Sequence, residues 1–350
     1  MTATDVVRRS AEPGRRDRVL PVRLVVIVVC CLLLMIVGFG WSLSIGTAGM
    51  SLGAALAALF SQATGPSQMI LRAIRLPRSL LSMLVGANMS VGGVIMQGIT
   101  ANPIAAPEIL GVSAGAAAVV VGALTIVPGL TGAGLIAAAL LGGAVTGLLV
   151  LMLAGAGTGR TSNVRLALAG VTVAALLTSL TQAFIIFNDN TASNVFFWLV
   201  GGVNFAKTSD LWTLLPWTVG GLIAALALAS SLNLLGLGED MARGLGAKVE
   251  RTRVLGGLII VGMTGAAVAV AGPISFLGLV TPHIARRLAR TTNHFVVIPL
   301  SALLGATLLL YADIGARFVR WPFEAPTGVV TAIIGTPFFI LLARRQRVSA

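Results

Sequence analysis

Apolar runs of about 20 residues recur from one end of this chain to the other, separated by short polar or glycine-rich breaks. About 20 helical residues cross a hydrocarbon core about 30 Å thick. The pattern predicts ten spans, near 22–45, 80–100, 109–128, 133–155, 164–187, 211–235, 254–271, 274–289, 295–312 and 327–343. The expected fold is an all-α polytopic membrane protein. A basic tail over 1–21 precedes the single membrane domain of 22–343, and a short tail over 344–350 follows it. The least regular stretch is 271–290, where Gly272-Pro273 and Pro282 interrupt the run. A proline there removes a helix hydrogen bond that protein or water must replace, which predicts short or re-entrant pieces. Two further stretches, 52–60 and 188–210, are too short to span and read as interfacial or pore-lining helices on the outer face.

Composition supports the pattern. Of 350 residues, 57% are hydrophobic and 10% charged, with a mean hydropathy of +0.98. Soluble domains carry about 25% charge, so this chain must face a lipid bilayer. The 42 glycines supply small-residue faces for close helix contacts, as in Gly111-Val-Ser-Ala-Gly115 and Gly143-Ala-Val-Thr-Gly147. Cys30 and Cys31 are adjacent within the first apolar run and read as small apolar bulk, not as a disulfide framework. The arginines before that run resemble a signal peptide, but the run is too long for one and reads as a retained first span.

A net charge of +13 changes the picture through its placement. With the N-terminus inside, 18 of the 24 Lys and Arg fall on the inner side and six on the outer. That bias puts both termini in the cytoplasm. It needs no nucleic-acid partner. It also puts the most charged internal stretch, "GLGEDMARGLGAKVERTR" at 236–253, in the cytoplasm between spans six and seven.

Candidate chemistry is sparse. Neither Lys207 nor Lys248 lies in a GxxxxGK[ST] loop, so no phosphate cradle of that kind is present. His283 and His294 flank a basic turn, and His283 reads as a helix-end packing residue. No metal-ligand spacing appears, and no cofactor or catalytic group is expected on this chain. The acids fall in tails or near span ends, with Glu108 and Asp313 closest to the membrane. An ion-driven carrier would place such groups at the interior. The chain thus reads as a path without its own motor. The 236–253 island reads either as a solvated loop or as a docking surface for a driving partner. In it a short helix begins at Glu239, whose charge suits the helix start, while Ala242 and Gly246 keep one face slim.

Longer motifs narrow the choice. "RLPRSLLSMLVGANMSVGGVIMQGITANPIAAPEILGVSAGA" (75–116) resembles the iron–siderophore and cobalamin permease family of ABC importers, the FecCD type. Ile104 stands where that family usually has Leu. "AGPISFLGLVTPHIARRL" (271–288), "YADIGAR" (311–317) and "PTGVVTAIIGTPFFILL" (326–342) continue the similarity in order, and the 236–253 stretch resembles such permeases' coupling loop. The resemblance implies ten helices per subunit, a second permease subunit (same or related), two cytoplasmic ABC ATPase subunits and an extracytoplasmic substrate-binding protein, in the cytoplasmic membrane. It assigns ATPase docking to Glu239, Ala242, Arg243 and Gly246. It assigns binding-protein docking to Arg75, Arg78 and Arg317, expected to be exposed. It assigns a cytoplasmic gate to Thr161 and Ser162, where helix capping by the same pair is an equal expectation. Gln97 and Asn102 are path candidates or helix-end groups. Ferric siderophore is the favoured cargo by its prevalence in the family, with cobalamin and haem as alternatives. An ion-coupled carrier and an intramembrane enzyme are the readings from other classes.

Overall fold

The computed structural model describes residues 16–45, 53, 57, 65–127, 129–154, 163–187, 198–319 and 324–347. Helix α1 (Arg16–Ser44) comes first. Next, α2 (Pro66–Ile70) runs through a π-helical turn (Leu71–Arg75) straight into α3 (Leu76–Ile99). A 3₁₀ turn (Pro107–Leu110) leads to α4 (Val112–Ile126), α5 (Ala133–Leu153) and α6 (Asn163–Ile186). Then come α7 (Thr208–Leu235), the short α8 (Glu239–Gly244), α9 (Val249–Ala271), α10 (Leu277–Ala289), α11 (His294–Ala316) and α12 (Thr327–Arg347).

Each of the ten expected spans is a helix. Among the described residues, seven helices are long and apolar enough to cross a membrane, while Val112–Ile126 and Thr327–Leu342 are shorter apolar helices. The thirteen residues of α10 reach about 20 Å, short of the hydrocarbon thickness. The second span starts earlier than its expected residue 80. Arg72, Arg75 and Arg78 make its first turns look polar, yet the helix is continuous through them. Most of 52–60 and 188–197 lies outside the described residues.

Burial sorts the helices. In the span Gln68–Ile99, 78% of the apolar window is inside the protein, against 11% in Val22–Ser44. Helix α3 is therefore the axis of the bundle, packed by α11, α9, α7 and α10. Helix α1 lies outside, its exposed Val22, Val25, Val29, Leu33 and Ile36 suited to lipid. Its inner edge meets α11, where Tyr311 donates its hydroxyl to Leu34 O at 3.0 Å.

Two crossings on α3 depend on glycine. A Cβ on Gly86 would stand 2.2 Å from Gly305 O of α11, and one on Gly93 would stand 1.9 Å from Gly278 O of α10. Only a missing side chain permits backbones this close. Against expectation, Pro282 does not interrupt α10 but sits inside it. Its missing N–H would have bonded Gly278 O, four residues back. That freed carbonyl instead accepts from Gln97 Nε2 of α3 at 3.3 Å.

Candidate functional site

At the outer end, three helices and one loop converge on Asp313. Arg78 donates from Nε to both carboxylate oxygens at 3.0 Å and from Nη2 to Oδ1 at 2.8 Å. Arg317, one turn on from Asp313, donates from Nη2 to Oδ2 at 2.7 Å, and Thr327 donates its hydroxyl to Oδ1 at 3.0 Å. Arg78 also binds Glu324, which stands at the surface. The end of α1 completes the cluster. Its last carbonyls lack helical partners, and they accept from arginines: Ser42 O from Arg317 Nη1 at 2.7 Å, Leu43 O from Arg75 Nη1 at 2.7 Å. Cations at a helix C-terminus also suit its dipole.

The expectation of exposed arginines is therefore corrected. Arg75, Arg78 and Arg317 are 5%, 4% and 3% exposed. Buried guanidiniums need acceptors, and Asp313, Glu324 and the α1 carbonyls supply them. Asp313, in the last turn of α11 as expected of a group near a span end, is fully buried.

A second site lies between α3 and α4. The segment after α3 turns back along the helix instead of running on past its end. Pro107 Cγ comes within 3.5 Å of the point where a Gly92 Cβ would be. Gly92 is seven residues, or about 10 Å, up the helix from Ile99. Positive φ at Ala101 (47°) and Gly111 (65°) brackets this re-entrant turn. Asn102 shapes its start, accepting from Ile104 N through Oδ1 at 3.1 Å. Glu108 sits in the turn, half-buried as a residue, with Oε2 sealed from solvent and without a hydrogen-bond partner. Burial pushes its carboxyl up to about 7. Gln97 is 3% exposed and shared between Gly278 O and the Arg286 guanidinium. Its geometry, like that of Asn102, serves backbone and helix packing.

The charged island at 236–253 forms a third site. Gly238 (φ +100°) and Gly246 (φ +84°) bend the chain on either side of α8, backbone angles that favour glycine. Glu239 bridges Arg243 Nη2 at 2.6 Å and Arg253 Nη2 at 2.8 Å, tying α8 to the start of α9. Ala242 is fully buried against the chain's own α7–α9 packing, so it offers no face to a partner. Arg243 and Gly246 are exposed, and so are three apolar residues: Met241 within α8 and Leu237 and Leu245 on its flanks, each more than half exposed. Sequence reasoning passed over these three, although apolar side chains inside a charged island were their signal. Thr161 and Ser162 lie outside the described residues. His283 stacks edge-on against Phe338 with ring centres 5.6 Å apart, a packing role as expected.

The sequence profile of the FecCD transport family matches residues 33–345. The Fe(3+)-citrate import system permease protein YfmD of Bacillus subtilis is 43% identical over 314 residues, covering 90% of this chain and 93% of that protein. The cobalamin import system permease protein BtuC of Halobacterium salinarum is 38% identical over 284 residues, 81% of this chain and 76% of that protein. A solved metal-chelate type ABC transporter in an inward-facing conformation superposes with a TM-score of 0.78 at 30% identity, over 91% of this chain and 99% of that one.

Proposed function

The chain belongs to the FecCD transport family, and on that premise we propose that it forms the transmembrane path of an importer for ferric siderophores in the cytoplasmic membrane. It is a multi-pass permease of the ABC importer type. ATP hydrolysis belongs to separate cytoplasmic subunits, and cargo arrives from an extracytoplasmic binding protein. A second permease subunit completes the path.

The observation that carries the ATPase assignment is the apolar trio around α8. Leu237, Met241 and Leu245 are apolar yet exposed, in the loop that the charge bias assigns to the cytoplasm. The Glu239–Arg243–Arg253–Glu250 ring holds the loop around them in shape. An apolar ridge with a charged collar fits a partner's cleft, the buried centre and polar rim of protein interfaces. ATP binding that draws the partners together would shift the path between outward- and inward-open populations.

At the outer face the arginines are occupied, so the acidic residues of a binding protein would have to compete with or join the Asp313 cluster. Three arginines against two acids leave it one positive charge in excess, which favours an acidic partner surface. The similarity to iron-citrate and hydroxamate permeases supports an iron chelate as cargo, and the cobalamin relative keeps that alternative alive. The test is co-purification. Met241→Arg puts a charge in the ridge and leaves the Glu239 ring intact. It should abolish recovery of the ATPase subunit with the tagged permease at unchanged membrane abundance. Undiminished recovery would reject α8 as the docking ridge.

A further inference from the structure

The coupling loop is tied to the rest of the protein at one polar point not used so far. Asn233 lies in the last turn of α7, six residues before α8. Its Oδ1 accepts from His294 N at 2.8 Å and from His294 Nδ1 at 2.8 Å, and its Nδ2 donates to Asn293 Oδ1 at 3.0 Å. An amide oxygen only accepts, so His294 carries its proton on Nδ1. Asn293 is the N-cap of α11 and accepts in turn from Phe295 N at 3.0 Å. One carboxamide therefore fastens the arm that carries α8 to the first turn of α11.

The other end of α11 carries Asp313 and Arg317, the centre of the outer cluster. Between the two ends α11 lies along α3, with Gly86 and Gly305 in backbone contact and Ser301 and Leu309 fully enclosed. Pro299 lies inside α11 near its inner end, and the close packing on α3 holds the helix as one body beyond it. Resting on the reading of α8 as the ATPase contact, we infer that Asn233 is a positioning residue. It passes the motion of α8 to α11, and α11 delivers it to the Asp313–Arg78–Arg317 cluster at the outer face. The rod has a bonded joint at each end: Asn233–His294 inside, Asp313–Arg78 outside. Cut at the inner joint, nucleotide on the ATPase would still move α8 but no longer the outer cluster.

The test uses the complete complex, permease with its ATPase, and needs no cargo. Hydrogen exchange is followed by peptide in α8 and at the outer end of α11, with and without a non-hydrolysable ATP analogue. In the wild type the analogue should change exchange in both places, by about tenfold for a coupling of ordinary size. Asn233→Leu keeps the branched shape and the number of side-chain heavy atoms and removes all three bonds. It should keep the response at α8 and lose it at 313–319. Asn233→Asp, which still accepts from His294 N and Nδ1, should keep most of both. A merely structural asparagine would instead raise exchange equally with and without nucleotide. If Asn233→Leu fails to reach the membrane, His294→Phe breaks the side-chain half of the joint and must weaken the outer response. An outer response intact in these variants, or missing from the wild type, overturns the inference. Failure of the ATPase to bind the wild-type chain at all would instead defeat the docking reading on which it rests.

Discussion

Asp313 receives two guanidiniums and a hydroxyl inside the protein, so its removal takes a carboxylate from two buried cations at once. Breaking a buried pair from one side costs about 3–5 kcal/mol. Asp313→Ala should therefore lower the melting temperature of the detergent-solubilised protein strongly, and Glu324→Gln, at the surface, should do so only weakly. Glu108 gives a pH dependence of defined sign. Its carboxyl titrates near 7 in the folded protein against an ordinary value of 4.5. The folded state thus holds its proton more tightly than the unfolded chain. This favours the fold at low pH and is lost as pH rises from about 4.5 through 7. The full shift is worth no more than about 3 kcal/mol, and partial solvation of the half-buried side chain reduces it. Glu108→Gln should flatten that part of a melting-temperature profile taken between pH 5 and 8. The sequence made both acids visible as the ones nearest the membrane. It could not show their environments. Arg317 stands one turn from Asp313, but its other guanidinium partner, Arg78, lies 235 positions away, and counting charge by side treats every arginine beside an apolar run as interfacial.

At the scale of elements, hydropathy was a sufficient guide to ten helices, because a bilayer demands length and apolarity of each span. It failed at two ends for identifiable reasons. The three arginines before Ser79 mask the outer turns of the α2–α3 helix, whose neutralising groups come from distant segments. At Pro282 the rule that proline ends a helix meets its exception, since a side chain from α3 uses the freed carbonyl. That exchange is testable as a double-mutant cycle. Pro282→Ala returns an N–H to Gly278 O and competes with Gln97 for it. Gln97→Leu should then cost less in the Pro282→Ala background than in the wild type, by about 1 kcal/mol, the worth of one hydrogen bond. Equal costs would mean the two groups do not share the carbonyl. The 236–253 stretch was legible as a charged island. Its exposed apolar ridge was overlooked beside the charges, and the inward turn of Ala242 needed the packing of α7 and α9 to be seen.

For the whole molecule, the bundle has a buried axis in α3, a lipid-facing α1, and polar joints at both membrane faces. Among the described residues, neither of the acids nearest the membrane is placed as an ion-coupling group. Asp313 is committed to two arginines and Thr327, and Glu108 belongs to no cluster of three or more His, Cys, Asp or Glu among the described residues. The account therefore predicts a passive path worked from outside by ATP. The most direct test is uptake into proteoliposomes holding the permease, its ATPase and its binding protein, across a panel of radiolabelled ferric citrate, ferric hydroxamate and ferric enterobactin, with labelled cobalamin alongside. Accumulation of an iron chelate that requires ATP at the cytoplasmic face and persists with a protonophore is the predicted result. Accumulation that proceeds without ATP and collapses with the proton gradient would contradict it.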